Sequence, residues 1–198
     1  SIFLPQICYG SYFCDTGWET TVPNESITIP TYPGLTYDYT VDWGDGTTSE
    51  NVTGNVSHFY AEPGGHFVRI SGDFPGFYFN NAYGDNNLKI KTIIQWGTTS
   101  VWTTMEGAFH GCKNLKLSSG STDETPMMAG VTNMSSMFQG CENITKGLDD
   151  WNVSNVTDMS FLFQGAINFN DTLDLWNVNN VLNMSHMFND AEAFNQSL

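Results

Sequence analysis

The sequence predicts a mainly β protein with short helices, in which a β-sandwich is followed by a solenoid of short repeats. Two observations carry this. Between residues 26 and 79, short alternating or aromatic runs are separated by Gly- and Pro-bearing turns. From Trp96 onward, Met and Phe recur at a nearly fixed period. Hydrophobic residues make up 40% and aromatic residues 14% of the 198 residues, enough to build a packed core and to exclude a disordered tail.

The strands follow in order. Ser26 to Pro30 is a short β-type run. Tyr37, Tyr39, Val41 and Trp43 alternate with Asp38, Thr40 and Asp42, the period of a half-buried strand. Gly44-Asp45-Gly46 ends it with residues that accept positive φ. A polar loop leads to His58-Phe59-Tyr60, and Pro63-Gly64-Gly65 makes a second turn. His66 to Ile70 reads as a strand with Val68 and Ile70 on one face, and Phe77 to Phe79 as a last aromatic strand. Short strands between such turns indicate an antiparallel sandwich.

The repeats begin near Trp102. Met105, Met134, Met159 and Met184 align, as do Phe109, Phe138, Phe163 and Phe188, with steps of 29, 25 and 25 residues. A period in this range marks a solenoid. Val156, Met159, Leu162 and Phe163 are spaced for one face of a short helix, with Thr157 to cap it and Gly165 to end it. Leu148 to Trp151 and Leu173 to Trp176 read as short extended links. Asn152 and Asn177, like Asn155 and Asn180, fall in register and are expected to satisfy backbone groups at the turns. The two halves are expected to form separate cores divided within Asn80 to Leu88. That gives a cysteine-bearing segment at 1–25, the sandwich at 26–85 and the repeats at 86–198.

Both halves resemble known families. Trp43-Gly-Asp-Gly46, His58-Phe-Tyr60 and Pro63-Gly64 before Phe67-Val68 resemble the polycystic-kidney-disease (PKD) type of immunoglobulin-like domain, with one extra Gly in the last turn. Trp151-Asn-Val-Ser-Asn-Val-Thr-Asp-Met-Ser-Phe-Leu-Phe163 is similar to the repeat of BspA-like leucine-rich-repeat surface proteins. The first repeat departs from that pattern by an insertion at Ser118 to Ala129. The resemblance implies an Ig/PKD-like β-sandwich followed by a leucine-rich-repeat-type solenoid. It also implies display on a cell or virion surface, and for several members adhesion.

Charge and chemistry narrow the function. The 6 basic residues face 21 acidic ones, and a net charge of −15 argues against binding nucleic acid or anionic lipid. No apolar run approaches the ~20 residues of a membrane helix. Ser1 to Gly10 lacks the Met and basic region of an intact signal peptide and reads as a mature N-terminus left by cleavage. The sequence stops at Leu198 within a repeat, before the expected Trp, so the native chain is expected to continue. No catalytic motif is present. His186 beside Ser185 stands where sister repeats have Ser136 and Phe161, a variable surface position, and Asp149-Asp150 do not stand out from the other carboxylates.

Cys112 and Cys141 share a repeat slot, and adjacent rungs ~4.8 Å apart suit a disulfide. Buried free thiols, or zinc held with His110, are the alternatives. Cys8 and Cys14 are expected to close a small disulfide loop on the same reasoning. Asp42 and Asp45 flank the GDG turn and are the candidate Ca2+ ligands, against a purely structural turn. No organic cofactor is expected. Trp151 and Trp176 read as core ahead of a sugar platform.

Asn-x-Ser/Thr sites are common. Those within the repeats follow the repeat grammar, which leaves Asn24, Asn51 and Asn55 as the candidate glycosylation sites. The expected function is an extracellular, non-enzymatic adhesion or recognition module that touches a host or neighbouring-cell protein or glycan, or copies of itself, through its repeat face. A structural subunit of a surface layer, fibre or virion coat, or an accessory module of a secreted enzyme, are the alternatives.

Overall fold

A computed structural model describes residues 13–80, 84–97, 101–117 and 125–197. The protein is mainly β, and its one α-helix among the described residues is α1 (Asn86–Lys89). The strands are β1 (Cys14–Thr20), β2 (Glu25–Ile29), β3 (Asp38–Asp42), β4 (Thr48–Val52), β5 (Val56–Tyr60), β6 (Gly64–Asp73), β7 (Ile90–Gln95) and β8 (Lys116–Leu117). Six of them form one sheet in the order β4-β3-β6-β1-β7-β8, and β2 and β5 pair separately.

The alternating run at Tyr37 to Trp43 forms β3, with Tyr39 and Val41 buried and Asp38 and Asp42 exposed. The run after the second turn extends further than expected, as the ten-residue β6, with Val68 and Ile70 buried. Phe77 makes only an isolated bridge with Thr31, so the expected last strand is reduced to a single pairing. The expected polar loop contains β4, which pairs with β3 around the GDG turn.

The expectation of two separate cores is corrected by β1. It pairs antiparallel with β6 on one side (Thr16 opposite Val68) and with β7 on the other (Thr16 opposite Ile93). A strand from the N-terminal segment therefore stands between the two halves, and one sheet runs through both. Its inward residues Thr16, Trp18 and Thr20 are buried. Thr16 is tolerated there because its hydroxyl donates to the Val68 carbonyl (3.1 Å) and accepts from the Trp18 indole (2.8 Å). The core is continuous as well. Trp18 packs on Phe79 (6.0 Å), Phe77 on Phe109 (5.5 Å), and Phe109 stacks on Phe138 and Phe138 on Phe163 at 5.9 and 6.0 Å.

The repeats contain no helix among the described residues, and the reason lies in their hydrogen bonds. Alternate amides point in different directions. The N–H groups of Met134, Ser136, Phe138 and Gly140 donate to Asp158, Ser160, Leu162 and Gln164 of the next repeat, at 2.7–3.0 Å. Those of Met137, Gln139 and Cys141 donate three residues back, to Met134, Ser136 and Phe138. A helix would use every amide internally. Here half of them join neighbouring rungs, and the chain achieves this by visiting the left-handed region twice per rung. The first visit is at Gly107, Ser136, Phe161 and His186, the second at Gly111, Gly140, Gly165 and Asp190. Gly165, expected as a helix terminator, fills the second of these places. The expected extended links at Leu148 and Leu173 are turns too, closed by Trp151 N–H to Leu148 and Trp176 N–H to Leu173.

Each slot facing inward is used consistently. Met105, Met134 and Met159 are fully buried, as are Phe109, Phe138 and Phe163. In the fourth rung, Leu182 is 88% and Met184 43% exposed, so this rung is covered from one side only among the described residues.

Candidate recognition surface on the repeats

The outward positions of a rung are held as firmly as the inward ones. Asn133, Asp158 and Asn183 each accept, through their side-chain oxygen, the N–H of the residue two places on, at 2.8–3.1 Å. These side chains also reach sideways: Asn133 donates to Glu106 (3.1 Å) and Asn183 to Asp158 (3.3 Å). Burial alone would raise the Asp158 carboxyl, yet bonds from Ser160 and Asn183 hold it below the usual carboxylate range. On the neighbouring column the Gln139 amide donates to Gln164 (2.8 Å), and Phe161 stacks on His186 at 5.1 Å with 13° between the rings. The sequence names Phe161 and His186 as occupants of one variable slot but gives no sign of the glutamine pair. Only the shared repeat position, two residues after Met137 and Leu162, could have pointed to it.

The register asparagines behave as expected. Asn152 and Asn177 accept from backbone amides two residues on (3.2 Å each), and Asn155 and Asn180 donate to carbonyls of the preceding repeat, Ala129 and Ser154. Trp151 and Trp176 are buried, and the Trp176 indole donates to the Leu148 carbonyl at 2.8 Å, which leaves no platform for a sugar.

The cysteines are corrected. Cys14, Cys112 and Cys141 carry free, buried thiols, and no disulfide joins Cys112 to Cys141. Their slot is occupied by Ala166 and Ala191 in the later repeats, and all four side chains are buried, so it is a small-residue slot. The Cys141 thiol is committed to the Phe109 carbonyl (3.0 Å), and burial pushes both thiols well up. Cys8, proposed to bridge Cys14, lies outside the described residues. His110, weighed with them as a zinc ligand, places its Nδ1 2.8 Å from the Asn80 amide oxygen. No cluster of three metal-ligating side chains occurs among the described residues.

The GDG turn is built from its own carboxylates. Asp42 accepts the Gly44 amide (3.0 Å), and Asp45 accepts the Thr47 amide and hydroxyl (3.0 and 2.6 Å). The Thr47 hydroxyl above all, with His58 at 2.7 Å, holds the Asp45 carboxyl at about 2. His58 lies flat on Trp43 (4.9 Å), and His66 lies flat on Tyr60 (3.5 Å). These carboxylates are engaged by the turn's own donors. Asn24, Asn51 and Asn55 are all exposed, and the Asn55 carbonyl accepts both the amide and the hydroxyl of Thr31 (2.7 and 2.8 Å). Asp149 and Asp150 are exposed on a turn.

This geometry defines a mainly β protein whose C-terminal part is a succession of hydrogen-bonded, repeated turns. Residues 103–198, just under half of the chain, match a family described as "Mycoplasma protein of unknown function, DUF285", which is loosely consistent with a BspA-like repeat protein. The chain has no match among curated proteins and none among solved structures.

Proposed function

We propose that this chain is an extracellular, surface-displayed recognition or adhesion module that acts by contact through the outward face of its repeats. In this reading the N-terminal sheets are a PKD-like sandwich enlarged by β1 and β7, and the repeats are a leucine-rich-type solenoid. The observation that carries the proposal is the variable column. Ser136, Phe161 and His186 share one backbone conformation, with φ between 55° and 59°, yet differ completely in side chain. The rung fixes the backbone through its amide bonds and leaves the outward side chain free to change, which suits a surface selected for contact. The acidic surface makes such contacts sensitive to salt and divalent cations.

The test is a binding screen of the purified chain against host-cell surfaces, extracellular proteins and glycans, run beside a generic hydrolase panel and size-exclusion chromatography. Saturable binding without turnover supports the proposal. Turnover abolished by changing one or two residues, or assembly into large oligomers with no binding, overturns it.

A further inference from the structure

The first left-handed position of each rung holds Gly107, Ser136, Phe161 and His186. Glycine adopts this conformation at no steric cost, whereas a bulky side chain is strained there. Ser136 shows that the rung closes with only a small side chain in this place. Phe161 and His186 are therefore not required by the rung. Both face outward, Phe161 half-buried and His186 exposed, in a chain that buries Phe109, Phe138 and Phe163 completely. The ring contact of Phe161 among the described residues is His186, stacked at 5.1 Å.

The turn that carries Phe161 also carries a polar side chain, Gln164. Gln164 belongs to the same turn as Phe161, donating its amide N–H to the Phe161 carbonyl (3.1 Å). Its side-chain oxygen accepts from Gln139 (2.8 Å), and this leaves one amide acceptor (Gln139 Oε1) and one amide donor pair (Gln164 Nε2) unbonded among the described residues. The column also narrows from Phe161 to Ser136 on the preceding rung, so a ring is present on one side of Phe161 and missing on the other.

We infer that Phe161, His186, Gln139 and Gln164 form a shallow subsite for a neutral pyranose ring of a glycan. The inference rests on the recognition reading above and specifies its ligand class. The C–H face of a pyranose carries partial positive charge and seats on the electron-rich face of an aromatic ring. Neighbouring hydroxyls each donate and accept, and so match the spare acceptor and donor of the two amides. The net charge of −15 disfavours sialylated or sulfated sugars.

The experiment uses the whole chain with neutral oligosaccharides ending in glucose, galactose, mannose or N-acetylglucosamine, with a sialylated control, read by ligand-observed NMR. Phe161→Ser and His186→Ser install the residue already present at Ser136, and Phe161→Trp keeps a ring. The expected result is binding of at least one neutral sugar, loss of tenfold or more in affinity for the two Ser variants with Tm retained, and binding preserved in Phe161→Trp. If Phe161→Ser lowers Tm, Gln164→Ala gives the same reading. Equal binding by wild type and variants overturns the subsite. Binding to protein probes through the repeats with no sugar bound also overturns it, and leaves the recognition reading standing; no binding to any probe overturns both.

Discussion

At the scale of single residues, glycines and small side chains decide where the chain can turn. Gly44 opens the GDG turn at φ 78°, and a Cβ built on it would overlap the Phe67 carbonyl of β6. Gly46, two residues on at φ 90°, has open space around it. Gly44→Ala is expected to destabilise the protein by about 3 kcal/mol or more, because left-handed strain and a backbone shift in β6 add. Gly46→Ala should cost only about 1 kcal/mol, the strain alone. Urea unfolding midpoints of the two variants check this, and equal losses would contradict it. The pattern W-G-D-G made this turn legible. The cysteines were harder to read. A shared slot at rung spacing fits a disulfide as well as it fits two plugs of equal size, and only the alanines in the same slot, with the thiol bond to Phe109, separate the two.

At the scale of elements, the rung is the unit, and its links are specific. Asp171 is buried and accepts the amides of both Gly147 and Leu148 in the preceding repeat, each at 2.8 Å. Replacing it by Ala would leave one buried donor (Leu148) and one half-buried donor (Gly147) without this partner. Asp171→Ala is expected to cost about 2–4 kcal/mol, while Asp171→Asn, which keeps an acceptor oxygen, should lose roughly half as much. Thermal melts of the pair test whether this staple holds the rungs together. The apolar period was legible in full, but the helix inferred from it was not formed. Spacing of three and four is shared by a helix and by a rung of successive turns, and what separates them is where alternate amides donate. That depends on a neighbour 25 residues away, which no local window contains.

At the scale of the molecule, β1 binds the two halves into one body. Both long edges of β1 are hydrogen-bonded, to β6 and to β7, and the aromatic contacts pass without a break from Trp18 through Phe79 and Phe109 to Phe163. A continuous core with shared strands unfolds as a unit. The chain is expected to show one calorimetric transition with equal van't Hoff and calorimetric enthalpies, and proteolysis within residues 80–88 should not release two stable fragments. Two resolved transitions would restore the picture of separate cores.

The sequence by itself determined the mainly β composition, most strand positions before Phe74, the turn at Gly44 to Gly46, the repeat period and the identity of the buried Met and Phe columns. These are local or strictly periodic signals, fixed by side-chain alternation and by residues that tolerate unusual φ. Only the tertiary structure decided that Cys14 to Thr20 becomes a central strand, that the repeats are stacked turns, that the thiols stay free, that Phe161 stacks on His186 and that Gln139 pairs with Gln164. Each of these depends on a partner distant in sequence. Backbone hydrogen-bond direction and the choice of sheet neighbour are settled by which distant segment supplies the missing donor or acceptor, not by the residue's own propensity.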